Sequence, residues 1–295
     1  MILSRVSSIL RLQRHGFPVN GNSDGQNPYS GFKPGKTIPG WILLCILLPL
    51  MLNSQKELPR VERARKENDL RLSQLFRNRN LSYPPQRVFL RALKKEQELE
   101  LWVWNINSTY TLLKSYPFCS SSGVLGPKRR QGDLQIPEGF YHIDRFNPWS
   151  QFYLSLGINY PNQSDRIRGS RQDPGGDIFI HGSCVTIGCI PLTDEKIKEL
   201  YWICHQARKN GQQRIPVHIF PARLDDSNFD TLTRIPHHQV FWKHYKSLIG
   251  NNHPHTPDQL IGFWKNLKGI YDHFENTLRV PRVRVDSKGK YHIRE

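Results

Sequence analysis

Past Glu100 the apolar residues change period, and no other feature constrains the fold as strongly. Residues 101–104 and 109–115 alternate apolar with polar positions and are rich in Trp, Val, Tyr and Thr. They are separated by the turn from Asn105 to Ser108, which is the pattern of a β-hairpin. Further strand-like runs occur at 139–143, 152–158, 177–181 and 217–220, with the turn-forming stretches GPKRRQGD, NPWS, YPNQSD and QDPGGD among them. Residues 194–209 keep helical spacing instead: Thr193 is placed to cap them, Ile197, Leu200, Tyr201 and Cys204 share a face, and Gly211 ends the run. Strands dominate the middle third. The expected fold is therefore mainly β with peripheral helices (α+β), a small β-sandwich or barrel over residues 101–222.

Before Glu100 the pattern is helical. Val61, Leu70, Leu72, Leu75 and Phe76, then Val88, Phe89, Ala92 and Leu93, recur at helical spacing on either side of a break at 80–85. This predicts two exposed amphipathic helices over residues 57–100, a charged stalk or cap. Residues 41–52 (WILLCILLPLML) carry no charge and come after Lys33 and Lys36. They are shorter than the ~20 residues of a membrane-spanning helix, so residues 1–56 are expected to be a signal or anchor region that directs export. No small-x-small cleavage site comes after the run, and both cleavage and retention at the inner membrane stay open. Residues 223–295 form a carboxy-terminal extension packed on or near the central domain. The 42 Lys and Arg against 25 Asp and Glu give a formal charge of +17, which favours an anionic partner. With no zinc-knuckle spacing, no aromatic RNP-type stretch and no long basic block, nucleic acid is not that partner.

The five cysteines are an odd set, so at least one thiol is unpaired. The segment HGSCVTIGC (181–189) brings one His and two Cys together between a strand and a helix. Cys189 stands just before the helix that begins near Thr193, where an imidazolium and a helix N-terminus would both favour the thiolate. Gly188 lets the backbone approach closely and the Cys189 amide face a substrate carbonyl as an oxyanion donor. Gly182 can offer a carbonyl that fixes the tautomer of His181.

These residues resemble the L,D-transpeptidase catalytic domain family (YkuD type), in its YafK-like murein branch. The resemblance rests on several ordered blocks: SYPFCSSSGVLGPK (115–128), QGDLQIPEGFYHID (131–144), Asn147-Pro148, SLGINYPN (155–162) and the HGSCVTIGC loop. Together they cover about residues 100 to 220. The resemblance implies a β-sandwich in the periplasm or cell envelope, with Cys189 as the acylated nucleophile, His181 as its base and the backbone beside Gly182 orienting that base. It implies attack at meso-diaminopimelate of murein stem peptides through a thioester, with no cofactor and no metal. An amine acceptor, from another stem or an outer-membrane lipoprotein, gives transpeptidation. Water gives a murein hydrolase or amidase that cleaves the lipoprotein link. Where the family places His or Lys before the Gly-Cys pair and Arg or Asn two residues after the Cys, this chain has Ile187 and Pro191, and only seven residues separate His181 from Cys189.

Other readings stand beside this one. A non-catalytic wall-binding protein would keep the same fold, and His181, Cys184, Cys189 and Cys204 are residue types that suit a structural zinc site. Cys204 reads as core packing. Cys184 reads as a small buried residue, with a disulfide to Cys119 as the open alternative. Tyr141, Phe152, Tyr160 and Ser183 are candidates to line the substrate groove. Trp149 is the Trp most expected at the surface, and Arg129, Arg130, Arg166, Arg168 and Arg171 form two basic loops that either contact carboxylates or face solvent.

Overall fold

The computed structural model describes residues 58–251 and 254–294. The apolar run 41–52 and its basic flank lie outside the described residues, among which no helix is long and apolar enough to cross a membrane. The described residues fall in one compact unit.

Helix α1 (Pro59–Asn78) opens with a proline in its first turn, where a missing N–H costs nothing. It buries a stripe made of Val61, Ala64, Leu72 and Phe76. Eight strands then form one sheet: β1 (Val88–Leu93), β2 (Glu98–Trp104), β3 (Tyr110–Pro117), β4 (Gly139–Asn147), β5 (Ser155–Ile158), β6 (Phe179–His181), β7 (Ile190–Pro191) and β8 (Ile215–Phe220), with the short helix α2 (Gln163–Arg168) between β5 and β6. Their order is β3-β2-β1-β8-β4-β5-β6-β7. The pairs β1–β8 and β6–β7 are parallel and the others antiparallel. The expected hairpin is present as β2–β3, and helix α3 (Asp194–Lys209) starts at the Thr193 cap, whose hydroxyl accepts from the Lys196 amide. The fold is a mixed α+β arrangement with one continuous sheet and peripheral helices.

The second helix expected before Glu100 is a strand. Every residue of β1 is buried. Val88, Leu90 and Ala92 join the large core under α1 and α3, while Phe89 and Leu93 point into clusters on the opposite face. A strand buried on both faces reads as a continuous apolar run and loses the alternation that marks half-buried strands. Arg91 makes the run look amphipathic. In the fold it is buried, with Nε donating to Glu100 at 2.6 Å and a second ion pair to Glu275.

The opposite face of the sheet is covered by the carboxy-terminal segment. It contributes α4 (Asp226–Arg234), a 3₁₀ turn (Ile235–His237), α5 (Gln239–Ile249), α6 (Pro257–Thr277) and a hairpin of β9 (Val283–Val285) and β10 (Tyr291–Ile293). Trp264 of α6 is wholly buried and its Nε1–H donates to Glu138 at 2.8 Å, the carboxylate that also accepts from Lys94 and the Gly126 amide. Burial lowers the pKa of the Lys94 ammonium, and the Glu138 carboxylate partly opposes this. Leu93 and Phe220, at the ends of the paired strands β1 and β8, are completed as core only by these helices.

Candidate active site

Strands β6 and β7 lie at one end of the sheet and carry the candidate pair. Ile180 pairs with Ile190 and His181 with Pro191. Cys189 stands in the bend just before β7, two residues before the strand partner of His181. His181 is buried, and its Nδ1 lies 2.5 Å from the Gly182 carbonyl. A carbonyl only accepts, so Nδ1 carries the proton and Nε2 the lone pair. Burial lowers the imidazole pKa, and the Gly182 bond offsets this in part. The ring packs on Phe152 with centroids 4.6 Å apart.

Cys189 is half-buried. Its sulfur accepts from the Phe179 amide at 3.4 Å, and its S–H is directed to the Asp177 carbonyl at 3.7 Å. Burial pushes the thiol up to about 11, against the lowering influence of the Phe179 amide and Lys128. Burial at this sulfur works against the expected thiolate. Desolvation outweighs the nearby donors, and the N-terminus of α3 is occupied by its own cap and by Asp194 and Glu195 in the first turn.

The loop between the two residues is braced by side chains that sequence inspection did not single out. The Thr186 hydroxyl accepts from the Gly188 amide at 3.2 Å and donates to the Cys189 carbonyl at 2.8 Å. Gly188 has φ +135°, and a Cβ there would stand 3.0 Å from the Gln135 carbonyl, so a positive-φ backbone and close packing both require glycine. Asp194 accepts from the Ser183 amide at 2.9 Å and lies directly over Gly182, where a Cβ would come within 2.5 Å of its carboxylate. In the sequence Asp194 reads only as a helix-start residue. Its second function needs the loop to fold back, which no local pattern reports.

Of the groove candidates, Phe152 packs on the His181 ring and Ser183 is held through its amide by Asp194. Tyr141 and Tyr160 are both buried, Tyr141 donating to Asp165 at 3.0 Å and Tyr160 to the Pro174 carbonyl at 2.9 Å. Cys184 is also corrected. It is exposed and bonded to Cys119, tying the catalytic-loop candidate to the segment after β3. With Cys184 in a disulfide and Cys204 wholly buried in α3, the proposed zinc set of His181, Cys184, Cys189 and Cys204 does not assemble. Trp149 is exposed at 62%, as expected. Arg129 is buried over the Phe263 ring, so it is not a loop-surface residue.

The L,D-transpeptidase catalytic domain (YkuD) family matches residues 93–219. "Putative L,D-transpeptidase YafK" of Escherichia coli K12 is 36% identical over 206 residues, 69% of this chain and 72% of that protein. The chain belongs to the L,D-transpeptidase family. The protein of the same name from Escherichia coli O157:H7 matches equally. Among solved structures, the helical cell shape determining protein Pgp2 of Campylobacter jejuni (K307A mutant) aligns with TM-score 0.38 and 18% identity, covering 78% of this chain and 81% of that one. Bd1075 of Bdellovibrio bacteriovorus aligns with TM-score 0.34 and 21% identity, over 64% and 72%. The family match begins at the end of β1 and closes within β8, and so spans His181, the braced loop and Cys189.

Proposed function

We propose that the chain is an exported cysteine acyltransferase of peptidoglycan, acting on murein stem peptides at meso-diaminopimelate. The observation that carries this reading is the His181–Gly182 bond, which leaves Nε2 as the basic nitrogen on the strand paired with the one that follows Cys189, within the family-matched segment. His181 Nε2 takes the Cys189 proton as sulfur attacks the carbonyl carbon at the L-centre of meso-diaminopimelate. The Cys189 amide is the oxyanion donor in this scheme; the Gly188 amide is already committed to Thr186. The bond to the departing amine breaks, His181 returns the proton to that amine, and a thioester remains. An acceptor amine then attacks the thioester, loses its proton to Nε2 and releases the thiol.

A second reading makes water the acceptor, so that the same site hydrolyses a crosslink or the lipoprotein tether. The rim supports it: Ile187 is exposed where the family pattern carries a basic residue before the Gly-Cys pair. The Cys119–Cys184 disulfide supports a location in the periplasm or cell envelope, since such bonds persist in oxidising compartments. In this reading residues 41–52 hold the chain at the inner membrane.

The test is mass spectrometry of products after incubating the chain with purified murein, beside Cys189→Ala. New diaminopimelate links, to a second stem or to lipoprotein, establish transfer, and released peptide or lipoprotein establishes hydrolysis. No product, with both proteins still pelleting with murein, would make it a binding protein.

A further inference from the structure

Asp194 takes no part in the proposed proton transfers, yet it is bonded to the group that holds the His181 ring. The carbonyl of Gly182 and the N–H of Ser183 belong to one peptide group, and in a trans peptide they point in opposite directions. The carbonyl accepts from His181 Nδ1 at 2.5 Å, and the N–H donates to Asp194 Oδ1 at 2.9 Å. One planar group therefore stands between ring and carboxylate, bonded at both ends. The ring comes from β6 and the carboxylate from the first turn of α3.

This peptide group is held in its less favoured orientation. Ser183 has φ +62°, in the left-handed region that a residue with a Cβ seldom occupies. Turning the peptide plane over would carry Ser183 toward the broad extended region and take the Gly182 carbonyl away from the ring. The same turn would break the Ser183 bond to Asp194, so the carboxylate opposes it. Gly182 is fitted to this contact, since a Cβ there would lie 2.5 Å from Asp194 Oδ1 and 2.8 Å from the Phe152 carbonyl. Favouring the N-terminus of α3 is a role that Asp194 shares with Glu195, and the cap itself is Thr193. What Asp194 adds is the bond to Ser183.

We propose that Asp194 is a positioning residue for His181, acting through the Gly182–Ser183 peptide group. It keeps the Gly182 carbonyl turned to the ring, so that Nδ1 holds the proton and Nε2 the lone pair that receives a proton from Cys189. A carboxylate on the N–H also polarises the amide and strengthens its carbonyl as an acceptor. This inference rests on the acyl-transfer reading above for the use made of Nε2, whereas the placement of the ring proton needs no substrate.

Nitrogen-15 NMR of the full chain, with the His181 signals assigned by their loss in His181→Gln, reads which ring nitrogen carries the proton. At a pH where the ring is neutral, the parent chain is expected to show the Nδ1–H tautomer alone. Asp194→Ala is expected to populate both tautomers and to lower kcat on soluble murein fragments about tenfold, with KM little changed. Asp194→Asn keeps an oxygen to accept from the Ser183 amide, so it should restore the single tautomer and bring kcat to within about threefold of the parent. Glu195→Gln, which removes the neighbouring charge at the same helix end, should change neither reading. Thermal melting checks that each variant folds; if Asp194→Ala does not, the parent chain and Asp194→Asn decide the matter. An Nε2–H ring in the parent, an unchanged ring in folded Asp194→Ala, or mixed tautomers in Asp194→Asn overturns the proposal. Failure of the peptidoglycan reading shows separately, as absence of product from murein in a parent chain whose ring carries its proton on Nδ1.

Discussion

Burial pushes the Cys189 thiol up, and its reactivity should reflect that. The folded chain holds this proton more tightly than a free cysteine does, and His181 is neutral above its lowered pKa. Alkylation of Cys189 by iodoacetamide should therefore keep rising with pH through 9 toward about 11. A plateau near pH 6 to 7 would instead reveal a thiolate–imidazolium pair. By the sign of the same shift, the stability this thiol contributes is complete below the unfolded-state pKa and is lost as pH rises from about 9 to about 11. Cys189→Ala should abolish turnover with little change in stability, whereas Cys204→Ala, in the core of α3, should cost about 1–2 kcal/mol in urea titrations and spare turnover. The roles of Cys204 and of the His181–Gly182 bond were legible in the sequence, because both depend on near neighbours. The desolvation of Cys189 was not legible, since it is set by segments distant in sequence.

Among the elements, the loop from Gly182 to Cys189 is held from three sides: by Thr186 within it, by Asp194 on α3 and by the disulfide to Cys119. Replacing Cys119 and Cys184 together by serine should lower stability by about 2–4 kcal/mol, read by urea denaturation, because 65 residues of sequence separate the bonded pair. Stability equal to that of the parent would mean that the tether restrains nothing. Helix α1 is locked to the sheet through buried Glu199, whose carboxylate meets Lys114, Tyr116 and Arg71. Burial alone would raise its pKa, but these three donors hold it lowered. Glu199→Gln should cost about 2 kcal/mol in the same assay. The hairpin β2–β3 and helix α3 were visible as periods, and α1 as an apolar stripe. Strand β1 was not, because a strand covered on both faces has no polar side to alternate with, and its Arg91 imitated the solvent face of a helix.

For the molecule as a whole, the family match ends within β8, yet one face of the sheet is covered by residues beyond that strand. One face of β1 packs under α1 and α3, and the other lies beneath the carboxy-terminal helices through Leu93, Phe220 and Trp264. That arrangement gives residues past Ala222 a core of their own on the face opposite α1 and α3, so the extension expected on or near the central domain packs on its sheet. The proposed chemistry depends on one covalent bond, the thioester at Cys189. Intact-protein mass spectrometry of the wild-type chain, quenched in acid during incubation with purified murein, should show a stem-peptide acyl adduct, and peptide mapping should place it on Cys189 with Cys119 and Cys184 still disulfide-bonded. An unmodified Cys189 in a sample that is releasing or linking murein peptides would contradict the thioester mechanism.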